Sequence, residues 1–121
     1  MLLDSNIIIY SALEEHEDLR EFIEGISPSA SEISRIEVLG FHKLSPDAGD
    51  FFTALFETFD MFPISSEVVA KAVELRQAKK IALGDSIVAA TAILQNRTLV
   101  TANVKDFHGI PDLKIFNPLD L

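Results

Sequence analysis

The chain has 121 residues, of which 48% are hydrophobic, and it carries a formal net charge of -9 with no cysteine. This length suits one compact domain and is short for two, and the lack of cysteine excludes disulfides, thiolate zinc sites and a catalytic thiol. The acidic balance argues against ordinary nucleic-acid binding through Lys and Arg, but it does not decide the partner, because divalent cations can neutralise carboxylates that converge on one site.

The first ten residues, MLLDSNIIIY, predict a strand, a turn and a helix. Residues 1–4 form a short apolar run with a polar end, and residues 7–13 are apolar over a helical length. We expect Asn6 or Ser5 to cap this helix, because both side chains accept hydrogen bonds from free backbone N–H groups. The segment has no basic leader, and no apolar run approaches roughly 18 residues. We therefore expect a cytoplasmic protein without a membrane anchor.

A Phe-rich helix is the main feature of the middle of the chain. It follows predicted helices at 19–26 and about 32–44 and a short strand at 28–31, and it begins with Ser45 as its cap and Pro46 in its first turn. Its apolar surface exceeds what one core-facing stripe normally requires and comes from Phe51, Phe52, Leu55, Phe56, Phe59 and Phe62. We expect part of it to contact another subunit.

The second half of the chain alternates between strands and helices. Its predicted elements are strands at 62–64, 98–101 and 113–116, a helix that begins at residue 65 or 66 and ends near Lys79 and Lys80, and an Ala-rich helix at 87–97 opened by Gly84 and Asp85. Because no tight hairpin signal separates the strands, this alternation predicts parallel strands joined by helices. The expected fold is a three-layer α/β/α sandwich with a central, mostly parallel sheet.

Ligands of such sheets bind at the carboxyl ends of the strands, where several acidic residues lie in this sequence. Asp4 ends the first strand, Asp106 follows the strand at 98–101, and Asp85 opens the Ala-rich helix. Each has an ordinary structural explanation as well: a turn or helix cap for Asp4, a helix cap or a salt bridge with a nearby Lys for Asp106, and the helix dipole for Asp85. Glu37 matches an S-x-x-E capping box with Ser34, or is simply solvated.

The local contexts of these acids resemble the PIN-domain nucleases, and most closely the VapC-type toxins of toxin–antitoxin pairs. LDSNIIIY resembles the LDTN opening of that family, with Ser5 in place of the usual Thr. SRIEVLGF resembles its second block, LGDSIVAATAI its third, and LVTANVKDF with IFNP its last. The resemblance covers nearly the whole chain in the right order, so it implies a single PIN-like domain over residues 1–121.

By that resemblance, Asp4, Glu37, Asp85 and Asp106 are ligands of Mg2+ or Mn2+. Many members carry Asp at the place of Asn103, so the fourth ligand stays open between Asp106 and Asn103. Carboxylate oxygens suit these hard cations, and two ions about 4 Å apart can flank a scissile phosphate. The resemblance implies endonucleolytic hydrolysis of RNA, such as tRNA or other structured RNA, leaving a 5'-phosphate, and it implies a small antitoxin partner and a homodimer.

Polar and basic residues near the four acids are expected to support the reaction. Ser5 and Asn6 should orient ligands or the phosphate, since no His lies near them in the sequence to activate a hydroxyl. The candidates for RNA contact are Arg35, Arg76, Lys79, Lys80 and Lys105, although surface cations are usually just solvated. The histidines, His16, His42 and His108, are expected on the surface.

Two other functions compete with a nuclease. A catalytically degenerate PIN-like module would keep the fold and act in binding or assembly. An acidic phospho-acceptor domain of the receiver type also places Asp at strand ends, but the strand at 62–64 is followed by Ser65 and Ser66 and offers no acceptor.

Overall fold

The computed structural model describes residues 1–120, in which five short parallel strands form one sheet. The strands are β1 (Leu2–Leu3), β2 (Ser29–Ser31), β3 (Asp60–Phe62), β4 (Leu99–Val100) and β5 (Ile115–Phe116), in the spatial order β3-β2-β1-β4-β5. Leu2 pairs with Ser29 on one side and with Leu99 on the other. The predicted parallel sheet is confirmed, with β1 at its centre.

Within residues 1–120, seven helices cover the sheet. They are α1 (Ser5–Tyr10), α2 (Glu17–Glu24), α3 (Glu32–Leu39), α4 (Pro46–Glu57), α5 (Ser66–Ala78), α6 (Leu83–Leu94) and α7 (Val104–Phe107), and a 3-10 turn lies at Glu14–His16. None of the helices within residues 1–120 has the length and apolar character needed to cross a membrane.

Successive residues of the central strand enter two separate hydrophobic cores. Leu2 packs in a core with residues of α5, α6 and α7, whereas Leu3 packs in a core with residues of α1 to α4. Side chains alternate between the faces of a strand, so β1 holds a helical layer on each side of the sheet. The three-layer α/β/α sandwich predicted from the sequence is confirmed.

The first helix begins earlier than predicted and has a different cap. Asp4 is the cap, and its Oδ1 accepts a hydrogen bond of 2.8 Å from the backbone N–H of Ser5. The expectation that Asn6 or Ser5 caps this helix is therefore wrong, because both residues already lie inside it. The helix also ends at Tyr10 rather than near residue 13.

The helix predicted to run to about residue 44 ends at Leu39. Gly40 follows it and donates its N–H to the carbonyl of Ile36, and a side chain at Gly40 would overlap that same carbonyl oxygen. The chain then turns away before Ser45 starts α4, as predicted, with its Oγ accepting from the N–H of Ala48.

The Phe-rich segment is mostly part of the chain's own core. Phe52 and Phe56 of α4 are buried, as is Phe59 just after the helix, and the rings of Phe56 and Phe59 pack with centroids 5.7 Å apart. The helix ends at Glu57, so Phe62 belongs to β3 instead. Phe51 is 38% exposed. Contact with a second subunit stays a prediction.

The remaining differences are shifts of element ends. Strand β3 lies two residues before its predicted position, α6 begins at Leu83 rather than 87 and ends at Leu94 rather than 97, and β4 and β5 are two residues each. Hydrophobic runs alone do not define these ends, since the N–H groups of the first turn are satisfied by capping positions outside the apolar pattern.

Candidate active site

Asp4 lies at the centre of the carboxyl edge of the sheet, directly after β1. Its side chain is 4% exposed, and Oδ2 accepts a hydrogen bond of 2.8 Å from Thr101 Oγ1, while Oδ1 accepts from the N–H of Ser5. Burial raises the pKa of the Asp4 carboxyl, and the negative charges of Glu37 and Asp106 raise it further, against the lowering effect of the two hydrogen bonds.

Thr101 is a site residue that the sequence reasoning missed. It is fully buried directly after β4, and besides donating to Asp4 its Oγ1 accepts the backbone N–H of Asn103 at 3.0 Å. The pairing of Leu3 with Val100 places Asp4 and Thr101 side by side. A hydroxyl residue at the end of the strand next to Asp4 was the available signal.

Glu37 reaches the site from α3 through two serines. Its Oε1 lies 2.7 Å from Ser5 Oγ, which also lies 2.9 Å from Ser34 Oγ. A hydroxyl has one hydrogen and a carboxylate only accepts, so Ser5 donates to Glu37 and accepts from Ser34. The alternative in which Ser34 and Glu37 form a capping box is wrong, because Ser31 caps α3 and its Oγ accepts from the N–H of Ile33. Glu37 is exposed, as the other alternative had it.

Asp85 lies in the first turn of α6 and is half-buried. Burial raises the pKa of its carboxyl to about 6, with further contributions from the charges of Asp4, Asp106 and Glu37. Asp85 and Asp106 line the same cavity, and the Glu37 carboxylate lies against Gly84, the residue before Asp85. The structure therefore brings these three acids to the carboxyl edge of the sheet, where Asp4 follows the central strand.

Asp106, like Glu37, lies on the solvent-exposed part of this arrangement. It lies on the four-residue helix α7 and is exposed to solvent. Lys79 Nζ holds this segment through its backbone, donating to the carbonyls of His108 at 3.0 Å and Asp106 at 3.4 Å. Asn103 precedes α7 and is tied to Thr101 by its own N–H. Asp106 contributes charge to both Asp4 and Asp85.

The predicted basic residues divide into two groups. Lys79, Lys80 and Lys105 line one shallow cavity together with Asp85 and Asp106. Arg35 instead forms a 2.8 Å ion pair with Glu32, and its guanidinium lies over the ring of Phe56, 5.6 Å from the centroid. Arg35 is therefore turned towards α4, and like the exposed Arg76 it does not line this cavity.

The other polar candidates lie at the edge of the site. Asn6 is half-buried in α1, and its side chain forms no hydrogen bond within the described residues. His42 and His108 are exposed as expected, whereas His16 is half-buried and its ring lies 5.7 Å from that of Tyr10.

The donor set fits a hard divalent cation. All four candidate ligands are carboxylates, and the ion pairs within residues 1–120 join Arg35 to Glu32 and Lys71 to Glu74, so no Lys or Arg side chain pairs with the four acids. The carboxylates influence one another without forming a closed cage: among residues 1–120, no three His, Asp or Glu side chains converge into a ready-made metal cluster. Each Asp4 oxygen keeps a lone pair beyond its hydrogen bond.

These features define a class of protein: a parallel α/β domain with an anionic, oxygen-rich site at the carboxyl edge of its sheet. The chain belongs to the PIN-domain family, whose model matches residues 1–113. PIN domains are typically nucleases and are generally metal-dependent. The predicted family is confirmed.

Solved structures of toxin–antitoxin systems share this fold. A chain of a toxin–antitoxin complex from Klebsiella pneumoniae is 31% identical, with a TM-score of 0.80 over 97% of this chain and 96% of that one. VapBC2 from Rickettsia felis, bound to a DNA fragment from its promoter, gives 23% identity and a TM-score of 0.83 over 96% of each chain. A chain of FitAcB from Neisseria gonorrhoeae is 23% identical, with a TM-score of 0.81 over 99% of each chain.

The structural neighbours are thus VapC and FitB toxins of toxin–antitoxin systems. At 23% identity the last two matches show the fold alone, while the Klebsiella pneumoniae chain is also related in sequence. No curated protein sequence matches the chain significantly.

Proposed function

We propose that the chain is a Mg2+- or Mn2+-dependent endoribonuclease and the toxin of a toxin–antitoxin pair, with residues 1–121 as one PIN domain. The observation that supports this most directly is the group of acids at the carboxyl edge of the sheet: Asp4 follows the central strand, Asp85 and Asp106 line one cavity, and Glu37 lies against Gly84. None of the four is paired with Lys or Arg within the described residues. Such a group is unfavourable unless cations neutralise it.

In this proposal Asp4 is the central ligand, with Asp85 beside it and Glu37 on one flank. Asp106, or Asn103, completes the other side. Bound Mg2+ or Mn2+ supplies positive charge that screens the phosphodiester and lowers the pKa of a water so that it can attack. The chain's own part is to hold the oxygen ligands: Thr101 fixes Asp4 and Ser5 fixes Glu37.

Ser5 positions a ligand and does not attack the phosphate. Its hydroxyl hydrogen points to Glu37, and its oxygen accepts from Ser34. The contact with Glu37 is the support for this positioning role. By the family likeness, the attacking group is a water and the product carries a 5'-phosphate.

Substrate RNA would approach over the cavity lined by Lys79, Lys80 and Lys105 next to Asp85 and Asp106. Cations beside an acidic site can bind the phosphates that flank the cleaved one. Arg35 and Arg76 are weaker candidates, because the first is engaged by Glu32 and Phe56 and neither lines this cavity.

An antitoxin is the proposed protein partner, as in the complexes named above. An apolar groove between α1, α3 and α4 begins beside Glu37 and suits such a partner, since exposed apolar patches commonly mark interaction sites. Its lining includes Ile9, Leu13, Phe41, Leu44 and Phe52. A segment seated there would cover Glu37. We also propose a homodimer, for which the family likeness is the support.

A degenerate PIN module that acts only in binding is the main alternative. The presence of all four acids at the carboxyl edge of the sheet counts against it. The receiver-like alternative is not favoured, because the family model that matches residues 1–113 is that of the PIN domain.

The test is cleavage of a mixed structured-RNA pool with added Mg2+ or Mn2+. The parent is compared with Asp4→Asn, Asp85→Asn and, as a matched control, Asp50→Asn on the exposed surface of α4. Metal-dependent cleavage by the parent and the control, with none by the other two, would support the nuclease. Equal cleavage by all four would reveal a contaminating enzyme and defeat the proposal. Absence of both cleavage and Mn2+ binding would favour the binding module.

A further inference from the structure

The carboxylate of Glu37 lies against the backbone of Gly84 in the first turn of α6. A Cβ placed on Gly84 would come within 2.7 Å of Glu37 Oε2 and 3.3 Å of its Cδ. Carbon and oxygen atoms that are not bonded do not approach this closely. Glu37 can occupy its observed position only because residue 84 has no side chain.

The backbone does not otherwise require glycine at position 84. Gly84 is the second residue of the 12-residue helix α6, and among the described glycines only Gly109 has a positive φ. Glycine is a poor helix former, and alanine at the same place would favour the helix. The contact with Glu37 is the structural feature that accounts for the smaller residue.

Glu37 is thus held from two sides. Ser5 Oγ lies 2.7 Å from one carboxylate oxygen, and the Gly84 backbone lies against the other, one residue before Asp85. The first turn of a helix also favours an anion, because its free N–H groups and dipole are positive. Ser5 and Gly84 together place the Glu37 carboxylate next to the residue that precedes Asp85.

We propose that Gly84 is a positioning residue: by lacking a side chain it lets Glu37 lie beside Asp85, and it thereby sets the affinity of the site for a divalent cation. This inference rests on the proposed metal-dependent function. It assigns Gly84 no contact with substrate or metal, and its effect passes entirely through Glu37.

The direct test is Gly84→Ala in the full chain, measured by calorimetric titration with Mn2+ and by thermal melting without metal. The clash falls on the end of a flexible side chain, so we expect the fold to be retained, with Tm unchanged or higher. Mn2+ affinity should fall roughly tenfold or more, as when a partner of a metal ligand is lost. Unchanged Mn2+ affinity in a folded Gly84→Ala variant would overturn the inference.

The matched control is Gly49→Ala in α4. A Cβ at Gly49 meets only the side chain of Leu44, at an ordinary 3.5 Å. This variant makes the same glycine-to-alanine change in a helix away from the acids, so Mn2+ affinity should equal that of the parent. A loss as large as that of Gly84→Ala would overturn the inference, because the effect would then not be specific to Glu37.

A double-mutant cycle with Glu37→Ala separates positioning from a general effect on α6. With Glu37 removed, Gly84→Ala should cause no further loss of Mn2+ affinity. An equal further loss would contradict the inference, and so would a Gly84→Ala variant that unfolds while the double variant folds, since the contact would then serve stability alone. If the parent itself binds no Mn2+, the proposed function fails and this inference fails with it.

Discussion

The two sides of the acidic site are built differently. On the Asp4 side, two carboxylates receive hydrogen bonds from side-chain hydroxyls, that of Thr101 to Asp4 and that of Ser5 to Glu37. On the Asp106 side, the carboxylate is exposed on a four-residue helix, and Lys79 holds that helix only through main-chain carbonyls. The first side is held by the buried hydroxyls of Thr101 and Ser5, although Glu37 itself is exposed, and the second side is held by a half-exposed lysine.

This difference bears on where binding free energy comes from. A ligand whose rotamer is already fixed loses little conformational entropy when it binds an ion, whereas an exposed side chain on a short helix must be ordered at that moment. Short, solvent-exposed elements also open locally at low free energy. We therefore expect the Asp4 side to set cation affinity and the Asp106 side to adjust to it.

The largest effect should come from removing a carboxylate on each side in turn. Asp4→Asn should abolish Mn2+ binding and lower RNA cleavage by more than the roughly 10- to 100-fold typical of a lost outer partner of a metal ligand. Asp106→Asn should lower Mn2+ affinity and the rate of RNA cleavage by less than Asp4→Asn does. The tests are calorimetric titration with Mn2+ and cleavage rates at a Mn2+ concentration that saturates the parent. Equal losses in the two variants would contradict the contrast between the sides.

The next effect should come from Thr101→Val, which keeps the shape of the side chain and removes its hydroxyl. Asp4 Oδ2 and the N–H of Asn103 then both lose a partner in a buried place. The free energy of unfolding should fall by about 1–3 kcal/mol. The affinity for Mn2+ should fall roughly 10-fold or more. Thr101→Ser keeps the hydroxyl and should restore most of the affinity. If it behaves like Thr101→Val, the hydrogen bond to Asp4 is not what matters.

The sequence predicted the fold well, because its signals are local and repeated. Alternating apolar strands and helices with no hairpin signal define a parallel α/β layer structure, and the structure has that form. Helix ends were predicted less well. The sequence offered Asp4 both as an acid at a strand end and as a helix cap, and it is both. The helix was nevertheless predicted to start at the apolar run, two residues after its true start at Ser5.

The acids of the site were visible in the sequence, but the side chains that hold them were not. Thr101 and Gly84 lie far from their partners Asp4 and Glu37 along the chain and meet them only through the strand order and the packing of α3 on α6. A threonine or glycine has no chemical signature of its own. Lys79 was predicted to contact RNA, and its bonds to the α7 carbonyls depend on tertiary structure in the same way.

A smaller effect should follow from Lys79→Met, which removes the donor that holds α7. The lysine is only half-buried, so the free energy of unfolding should fall by about 0.5–1 kcal/mol. Mn2+ affinity should fall by less than the roughly tenfold expected at Thr101. Lys71→Met is the control, since Lys71 pairs with Glu74 on α5 away from the acids. Chemical denaturation and calorimetry measure both quantities. A loss of affinity larger than that of Thr101→Val would reverse the proposed order of the two sides.

The last effect should be a pH dependence of stability caused by Asp85, and it concerns the site without metal. Without metal, burial and the neighbouring charges raise the pKa of this carboxyl to about 6 from an ordinary value of 3.8. The folded state therefore favours the protonated form, so Asp85 opposes folding at pH 7.5, and this opposition weakens as the pH falls through about 6 towards 4. In EDTA, Asp85→Asn should melt at a higher temperature than the parent at pH 7.5, and the difference should shrink at pH 5.

An Asp50→Asn variant should show no such change, because Asp50 is exposed on α4. A difference that grows as the pH falls would mean that the ionised form of Asp85 is stabilised in the folded chain, contrary to a site that needs a cation to balance its charge.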